Sequence, residues 1–285
     1  MKILLAGCGD IAQRTALQLG PDHSCYGLRR NPQNLPNTIV PLVGNITDVP
    51  GISAVLSQQF DVMLVTLTPD RFTEQAYRES YLKGAEAIAE AIEQGAVAPK
   101  LVLWVSSTSV YGDNNGDWVD EASATNPQSF SGMVLLEAEL VIRSLPCASS
   151  IVRFSGIYGP GRTRMLDQIR AGKGRPAEPK QWSNRIHSDD CGGVLAHLIN
   201  CFAAGETLQS IYLGTDSAPV TQHDLRKWLA GEMQVQLRDE VVAQNAVRRC
   251  SNQRLLGAGY QFTYPSYREG YLALMDQKIS KDLDN

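Results

Sequence analysis

The chain has no apolar stretch approaching the roughly 20 residues that span a bilayer, so no membrane helix is expected. Its first residues lack the basic and apolar regions of a secretory leader, which makes the cytoplasm the expected location. Six cysteines (Cys8, Cys25, Cys147, Cys191, Cys201 and Cys250) are scattered without a C-x-x-C pair. That spacing suggests neither a zinc site nor a disulfide framework; buried free thiols and no metal are expected. A long basic run is also missing, and the formal charge is −4, which argues against a dedicated nucleic-acid surface. Repeats and low-complexity tracts are absent. What remains, 285 residues with 43% hydrophobic content, is enough for one large core or a core with a smaller lobe.

The start of the chain carries the most informative pattern. Lys2 to Ala6 form an apolar run, followed by Gly7-Cys8-Gly9-Asp10-Ile11-Ala12. The run predicts a buried parallel strand. Gly7 permits a tight turn, Gly9 lets a phosphate approach the backbone, and Ala12 keeps the next helix close to the strand. Ile11, Ala12, Ala16, Leu17 and Leu19 give that helix an apolar face, and Gly20-Pro21 ends it. A pyrophosphate here would meet the helix-start N–H groups and the positive end of the helix dipole. The segment Gly7, Gly9, Asp10, Ile11, Ala12 therefore reads as a dinucleotide site.

Strand-like and helix-like segments then alternate. Strands are predicted at 24–28, 38–43, 62–66, 101–106, 149–154 and 210–213, with helices at 75–94 and 133–143. This order specifies an α/β fold, a Rossmann-type doubly wound parallel sheet, with ligand at the carboxyl ends of the strands beside the first one. Residues 1–158 are expected to form the NAD(P)-binding domain, with 184–213 returning to it. Residues 159–183 and 214–285 are expected to form a small C-terminal substrate-side lobe over the cleft. The Gly-, Pro-, Lys- and Arg-rich stretch 160–182 suits a mobile loop and helix. The second strand ends in Gly27-Leu28-Arg29-Arg30, with no carboxylate before Asn31-Pro32. An acidic residue there would hydrogen-bond the ribose 2′-hydroxyl of NAD. Guanidiniums suit a 2′-phosphate instead, so NADP is favoured over NAD.

Three further segments carry a family resemblance: Trp104-Val-Ser106-Ser107-Thr-Ser-Val-Tyr111-Gly-Asp113, Arg153-Phe-Ser-Gly-Ile-Tyr158-Gly-Pro-Gly161, and Asn184-Arg185-Ile-His187-Ser-Asp-Asp190. They resemble motifs of the extended short-chain dehydrogenase/reductase superfamily, the branch that includes nucleotide-sugar epimerases and dehydratases. With the glycine fingerprint and the late Ser251-Asn-Gln-Arg-Leu-Leu-Gly257 segment, they run in family order over most of the chain. The resemblance implies an NAD(P)-binding, epimerase/dehydratase-like oxidoreductase or isomerase acting on a small sugar-like or phosphorylated substrate. It also implies that Ser107 matches the catalytic Ser or Thr, that Ile46, Thr66, Ser106 and Tyr158 lie by the cofactor, and that Arg185 faces substrate phosphate. Asn45 stands where the family usually has an adenine-contacting Asp, and an amide can still hydrogen-bond adenine.

One family motif is missing. These enzymes use Tyr-x-x-x-Lys, the tyrosine as general acid/base and the lysine to lower its pKa and bind the nicotinamide ribose. The matching stretch here is Ser131-Gly-Met-Val-Leu135. A serine hydroxyl is a far weaker acid than a phenol, and leucine supplies neither charge nor donor. Losing a positioned acid/base costs about 10²–10⁴ in rate. The pattern resembles an atypical subgroup without this pair, with Ser107 and Tyr111 as candidate catalytic replacements and Ser131, Arg162 and Arg185 as candidate substrate residues. Tyr158 and His187 are further proton-transfer candidates, each weighed against an ordinary packing role. Arg153, Arg162, Arg164, Arg170, Arg175 and Arg185 form a basic group suited to a phosphate or carboxylate. The apolar faces of the 75–94 and 133–143 helices belong mostly to the core; by resemblance they also imply a homodimer. Two functional classes stay open: an enzyme, or a non-catalytic NADP-binding sensor or scaffold.

Overall fold

Strands that are apolar on both faces can be satisfied only inside a sheet covered on both sides, which selects parallel pairing with helical crossovers. In the computed structural model, which describes residues 1–240 and 248–283, this is the outcome for the first part of the chain. β1 (Lys2–Ala6), β2 (Ser24–Arg29), β3 (Ile39–Val43), β4 (Val62–Val65) and β5 (Leu101–Ser107) share a seven-stranded sheet with strands Ala148–Phe154 and Ile211–Gly214. The spatial order is Ile211–Gly214, Ala148–Phe154, β5, β4, β1, β2, β3. β1 pairs in parallel with β2, Leu5 opposite Gly27, and with β4, Leu5 opposite Leu64. Strand order therefore reverses beside β1, which opens a crevice at the carboxyl ends of β1 and β4. The expected Rossmann-type doubly wound sheet is present.

Five helices are positioned around these strands: α1 (Asp10–Leu19), α2 (Val49–Leu56), α3 (Glu74–Tyr77), α4 (Lys83–Glu93) and α5 (Phe130–Arg143). Leu4, Met63 and Trp104 from the sheet pack with Ile52, Ile88 and Ile142 from the helices, all fully buried. Each such aliphatic side chain contributes roughly 1.5–3 kcal/mol. The single helix expected at 75–94 is interrupted by a π-turn at Arg78–Leu82, where Tyr81 donates its hydroxyl to the Leu67 carbonyl. α5 starts three residues earlier than expected because the Ser129 hydroxyl accepts the Gly132 N–H and caps it.

The chain divides into two units. The first comprises Met1–Val110, Thr125–Phe154 and Cys191–Tyr212; the second comprises Tyr111–Ala124, Ser155–Asp190 and Leu213–Asn285. Residues 111–124, 155–158, 184–190 and 213, assigned by sequence to the first domain, thus belong to the second. Short pairings explain the difference: Gly156–Tyr158 runs parallel with Arg185–His187, and Trp118–Val119 with Arg249–Cys250. The stretch expected as a mobile loop is tied at two places, Lys173–Gly174 to Arg238–Asp239 and Trp182–Ser183 to Val220–Thr221, with a helix at Arg164–Arg170 between Thr163 and Ala171. The core of this unit gathers Tyr158, Ile169, Leu225, Leu229 and Tyr271, and the Tyr158 and Tyr271 rings stack at 4.4 Å. A Cβ at Gly270 would collide with the Tyr158 hydroxyl, so glycine there makes room for the ring. No described helix is long and apolar enough to cross a membrane.

Candidate nucleotide cleft and arginine pocket

The turn after β1 is clamped from both neighbouring strands. Gly7 N–H donates to the Leu28 carbonyl of β2 at 3.1 Å, and Thr66, just after β4, donates its hydroxyl to the Gly7 carbonyl at 2.9 Å. Gly7 has φ 75°, and a Cβ there would lie 2.9 Å from the Thr66 carbonyl oxygen, so both backbone conformation and space demand glycine. At Gly9 the missing side chain instead leaves the approach to the helix start open; the nearest atom to a Cβ would be 3.7 Å away. The first N–H groups of α1 have no carbonyl ahead of them in the helix, the arrangement that favours an anion. Asp10 accepts from Arg14 Nε at 2.8 Å, while Ile11 and Ala12 are buried and hold α1 on the sheet. Burial pushes the Cys8 thiol up to about 11, which removes it as a nucleophile at neutral pH.

A cleft of about 520 Å³ opens from this turn, lined by residues at or just beyond the carboxyl ends of four strands: Gly7 and Gly9, Leu28 to Asn31, Gly44 to Thr47, and Thr66 to Thr68. Seven sequence-predicted residues meet here: Gly7, Gly9, Arg29, Arg30, Asn45, Ile46 and Thr66. Asn45 accepts the Thr47 N–H at 3.3 Å, which orders its turn. Asp70, Glu79 and Ser80 also line the cleft and were missed. Glu79 and Ser80 arrive through the π-turn, a feature that helical periodicity does not reveal. A glycine turn with no room for a Cβ, an open helix start and two guanidiniums at the end of β2 fit a dinucleotide that carries a 2′-phosphate.

Ser107, at the end of β5, accepts the Ser109 N–H at 3.1 Å, and the buried Ser106 hydroxyl has no hydrogen-bond partner among the described residues. Ser131 lies 3.0 Å from the Ser129 hydroxyl. A Cβ on Gly132 would collide with the Ser109 carbonyl, so glycine brings the start of α5 against the segment that follows Ser107. Ser107 and Ser131 therefore occupy one neighbourhood, but neither has a titratable hydrogen-bond partner among the described residues. Leu135 is buried. Tyr111 and Tyr158 are buried in the second unit, and burial pushes the Tyr158 phenol well above its usual range, away from proton transfer at neutral pH. His187 is buried as well, with its Nδ1 accepting the Asp189 N–H and its ring against Tyr158 and Tyr264.

The second unit has its own pocket of about 500 Å³, into which Arg162, Arg164, Arg175, Arg185 and Arg226 converge with Tyr158, Trp182 and Tyr271. No carboxylate is among the described lining residues. Arg185 donates to the Tyr271 hydroxyl at 3.3 Å, and its buried Nε has no hydrogen-bond partner among the described residues. Arg226, also missed from sequence, is 3% exposed and donates to the Lys173 carbonyl and to Gln168. Burial pushes its guanidinium down to about 10, still cationic at neutral pH. Arg175 is partly answered by Glu240 at 3.5 Å. Two arginines expected with this group do other work. Arg153 is buried in the first unit against Glu139, and Arg170 pairs with Asp167 on its own helix.

No family model matches the chain. Over 148 residues it is 32% identical to Protein YeeZ of Escherichia coli K12, a match that takes in 51% of this chain and 50% of YeeZ, so it spans about half the length of that curated relative. A protein from Methylobacillus flagellatus, provisionally assigned as an NAD-dependent epimerase/dehydratase, is 33% identical; the superposition covers 97% of this chain and 98% of that one, with TM-score 0.79. The human epimerase family protein SDR39U1, solved with NADPH, is 18% identical and shares the fold, with TM-score 0.72 over 93% of this chain and 96% of that one. The class is therefore that of Rossmann-type proteins of the extended short-chain dehydrogenase/reductase superfamily. Within it, this chain belongs to the NAD-dependent epimerase/dehydratase family.

Proposed function

We propose that the protein binds NADP(H) in the cleft at Gly7 and Gly9, and acts as an epimerase/dehydratase-like oxidoreductase or isomerase on a small sugar-like or phosphorylated substrate. The observation that carries this reading is the clamped glycine turn with Arg29 and Arg30 at the same cleft. When bound, NADP(H) supplies a nicotinamide that accepts or returns a hydride. The α1 start holds the pyrophosphate, Arg29 and Arg30 hold the 2′-phosphate, and Asn45 and Ile46 receive the adenine. Within the second unit Arg185 and Arg162 are placed to hold an anionic group, and within the first unit Ser107 and Ser131 offer hydroxyls. Calorimetric titration with NADPH and NADH tests the cofactor site. NADPH should bind more tightly than NADH, and both Gly9→Val and Arg29→Ala/Arg30→Ala should weaken NADPH at least tenfold. No binding of either nucleotide overturns the reading.

A second reading, a non-catalytic NADP-binding sensor or scaffold, is favoured by the Ser131/Leu135 pair, because a serine tied to Ser129 and a buried leucine supply no phenol and no ammonium. A panel of carbonyl and nucleotide-sugar substrates separates the two. Turnover by the wild-type protein supports the enzyme; intact NADPH binding without turnover supports the sensor.

A further inference from the structure

The nucleotide cleft carries charges of both signs: Arg29 and Arg30 at the end of β2, Asp70 on the loop after β4, and Glu79 in the π-turn. Glu79 is answered by Lys83 Nζ, at the start of α4, at 2.7 and 2.8 Å. Asp70 instead reaches to the opposite wall, where Arg30 Nη2 donates to its two carboxylate oxygens at 3.3 and 3.4 Å. The two side chains are 72% and 75% exposed, so this pair adds little to stability. Its position at the mouth of the cleft gives it a different role.

We propose that Asp70 is a specificity-determining residue, a counter-ion that competes with the 2′-phosphate of NADP(H) for Arg30 and so limits NADP(H) affinity without affecting NAD(H). The proposal rests on reading the cleft as an NADP(H) site. A phosphate monoester carries about −1.5 to −2 charges at neutral pH and takes a guanidinium in a short, bidentate contact, far better than the long contacts Asp70 makes. Arg30 must leave Asp70 to form it. The vacated carboxylate then stands within the ~8 Å Debye length of the phosphate and repels it. Arg29, which has no ion pair among the described residues, supplies a second guanidinium that Asp70 does not occupy. NAD(H), with a neutral 2′-hydroxyl, meets neither competition nor repulsion.

The test is calorimetric titration of wild type, Asp70→Asn, Asp70→Glu, Arg30→Ala and Arg30→Ala/Asp70→Asn with NADPH and NADH, at low salt and at 0.5 M salt. Asp70→Asn is nearly isosteric at an exposed position, and a circular-dichroism melt within 1–2 °C of wild type, a shift corresponding to less than about 1 kcal/mol, verifies its folding. It should bind NADPH about three- to tenfold more tightly at low salt, with the gain reduced at 0.5 M salt and NADH affinity within twofold of wild type. Asp70→Glu should behave as wild type, and on the Arg30→Ala background the gain should shrink. An NADPH affinity for Asp70→Asn within twofold of wild type overturns the proposal, as does an equal tightening toward NADH. Failure of the cofactor reading looks different: the wild-type protein would then bind neither nucleotide, and both claims would fall.

Discussion

Glu139 on α5 and Arg153 on strand Ala148–Phe154 are 1% and 2% exposed, and their contacts include Nε to Oε1 at 3.0 Å and Nη2 to Oε2 at 2.6 Å. Neither charge reaches solvent, so each is neutralised inside the protein by the other. Replacing Glu139 with Ala removes the counter-charge of a buried guanidinium, and breaking such a pair from one side costs about 3–5 kcal/mol. At roughly 2–4 °C per kcal/mol, the melting temperature should fall by about 6–20 °C. Arg153→Met should cost about as much by stranding the carboxylate. The double variant Glu139→Leu/Arg153→Met strands nothing and should return to within about 1 kcal/mol of wild type, since buried pairs are often dispensable once both charges leave together. Urea unfolding followed by circular dichroism and tryptophan fluorescence, with Glu139→Leu added as the matching single variant, gives the four stabilities needed for a double-mutant cycle. A loss below about 1 kcal/mol for Glu139→Ala, or a double variant no more stable than the singles, would refute the argument that mutual satisfaction holds the pair.

Asp216 accepts the Ala218 N–H at 3.1 Å, and burial pushes its carboxyl up to about 8. The unfolded chain gives up this proton near pH 4 while the folded protein keeps it to about 8, so folding stability should fall as pH rises through that window. Asp216→Asn should flatten the profile measured by denaturation at pH 5, 7 and 9; an unchanged slope counts against the assignment. Loss of a charge-assisted contact in Arg185→Ala should weaken inorganic pyrophosphate about tenfold or more by calorimetry, and unchanged affinity would remove Arg185 from the anion site. Exposed Phe72, Met133 and Leu140 lie on or beside α3 and α5, with Phe72 packed on Tyr77 and Phe130. If this face pairs two copies, light scattering at micromolar concentration should give a dimer that Leu140→Glu converts to monomer; a monomeric wild type rejects it.

The sequence by itself determined what depends on short spans of chain. The apolar strand, Gly7 and Gly9 specified the turn and the helix start, because a tight turn followed by a helix is settled by the conformational freedom of adjacent residues. Alternation of apolar runs with amphipathic segments specified the parallel sheet, and with it the cleft at the strand ends where Arg29, Arg30, Asn45, Ile46 and Thr66 meet. Tertiary structure decided whatever depends on distant segments. Residues 111–124 join the second unit because Trp118 and Val119 pair with Arg249 and Cys250, more than 120 positions away, a register that no local pattern encodes. Arg153 and Arg226 look alike in sequence, but only packing reveals that one is neutralised by Glu139 while the other lines a pocket of arginines. Asp70 became visible as a partner of Arg30 only when strand order placed the loop after β4 opposite the end of β2 across the crevice.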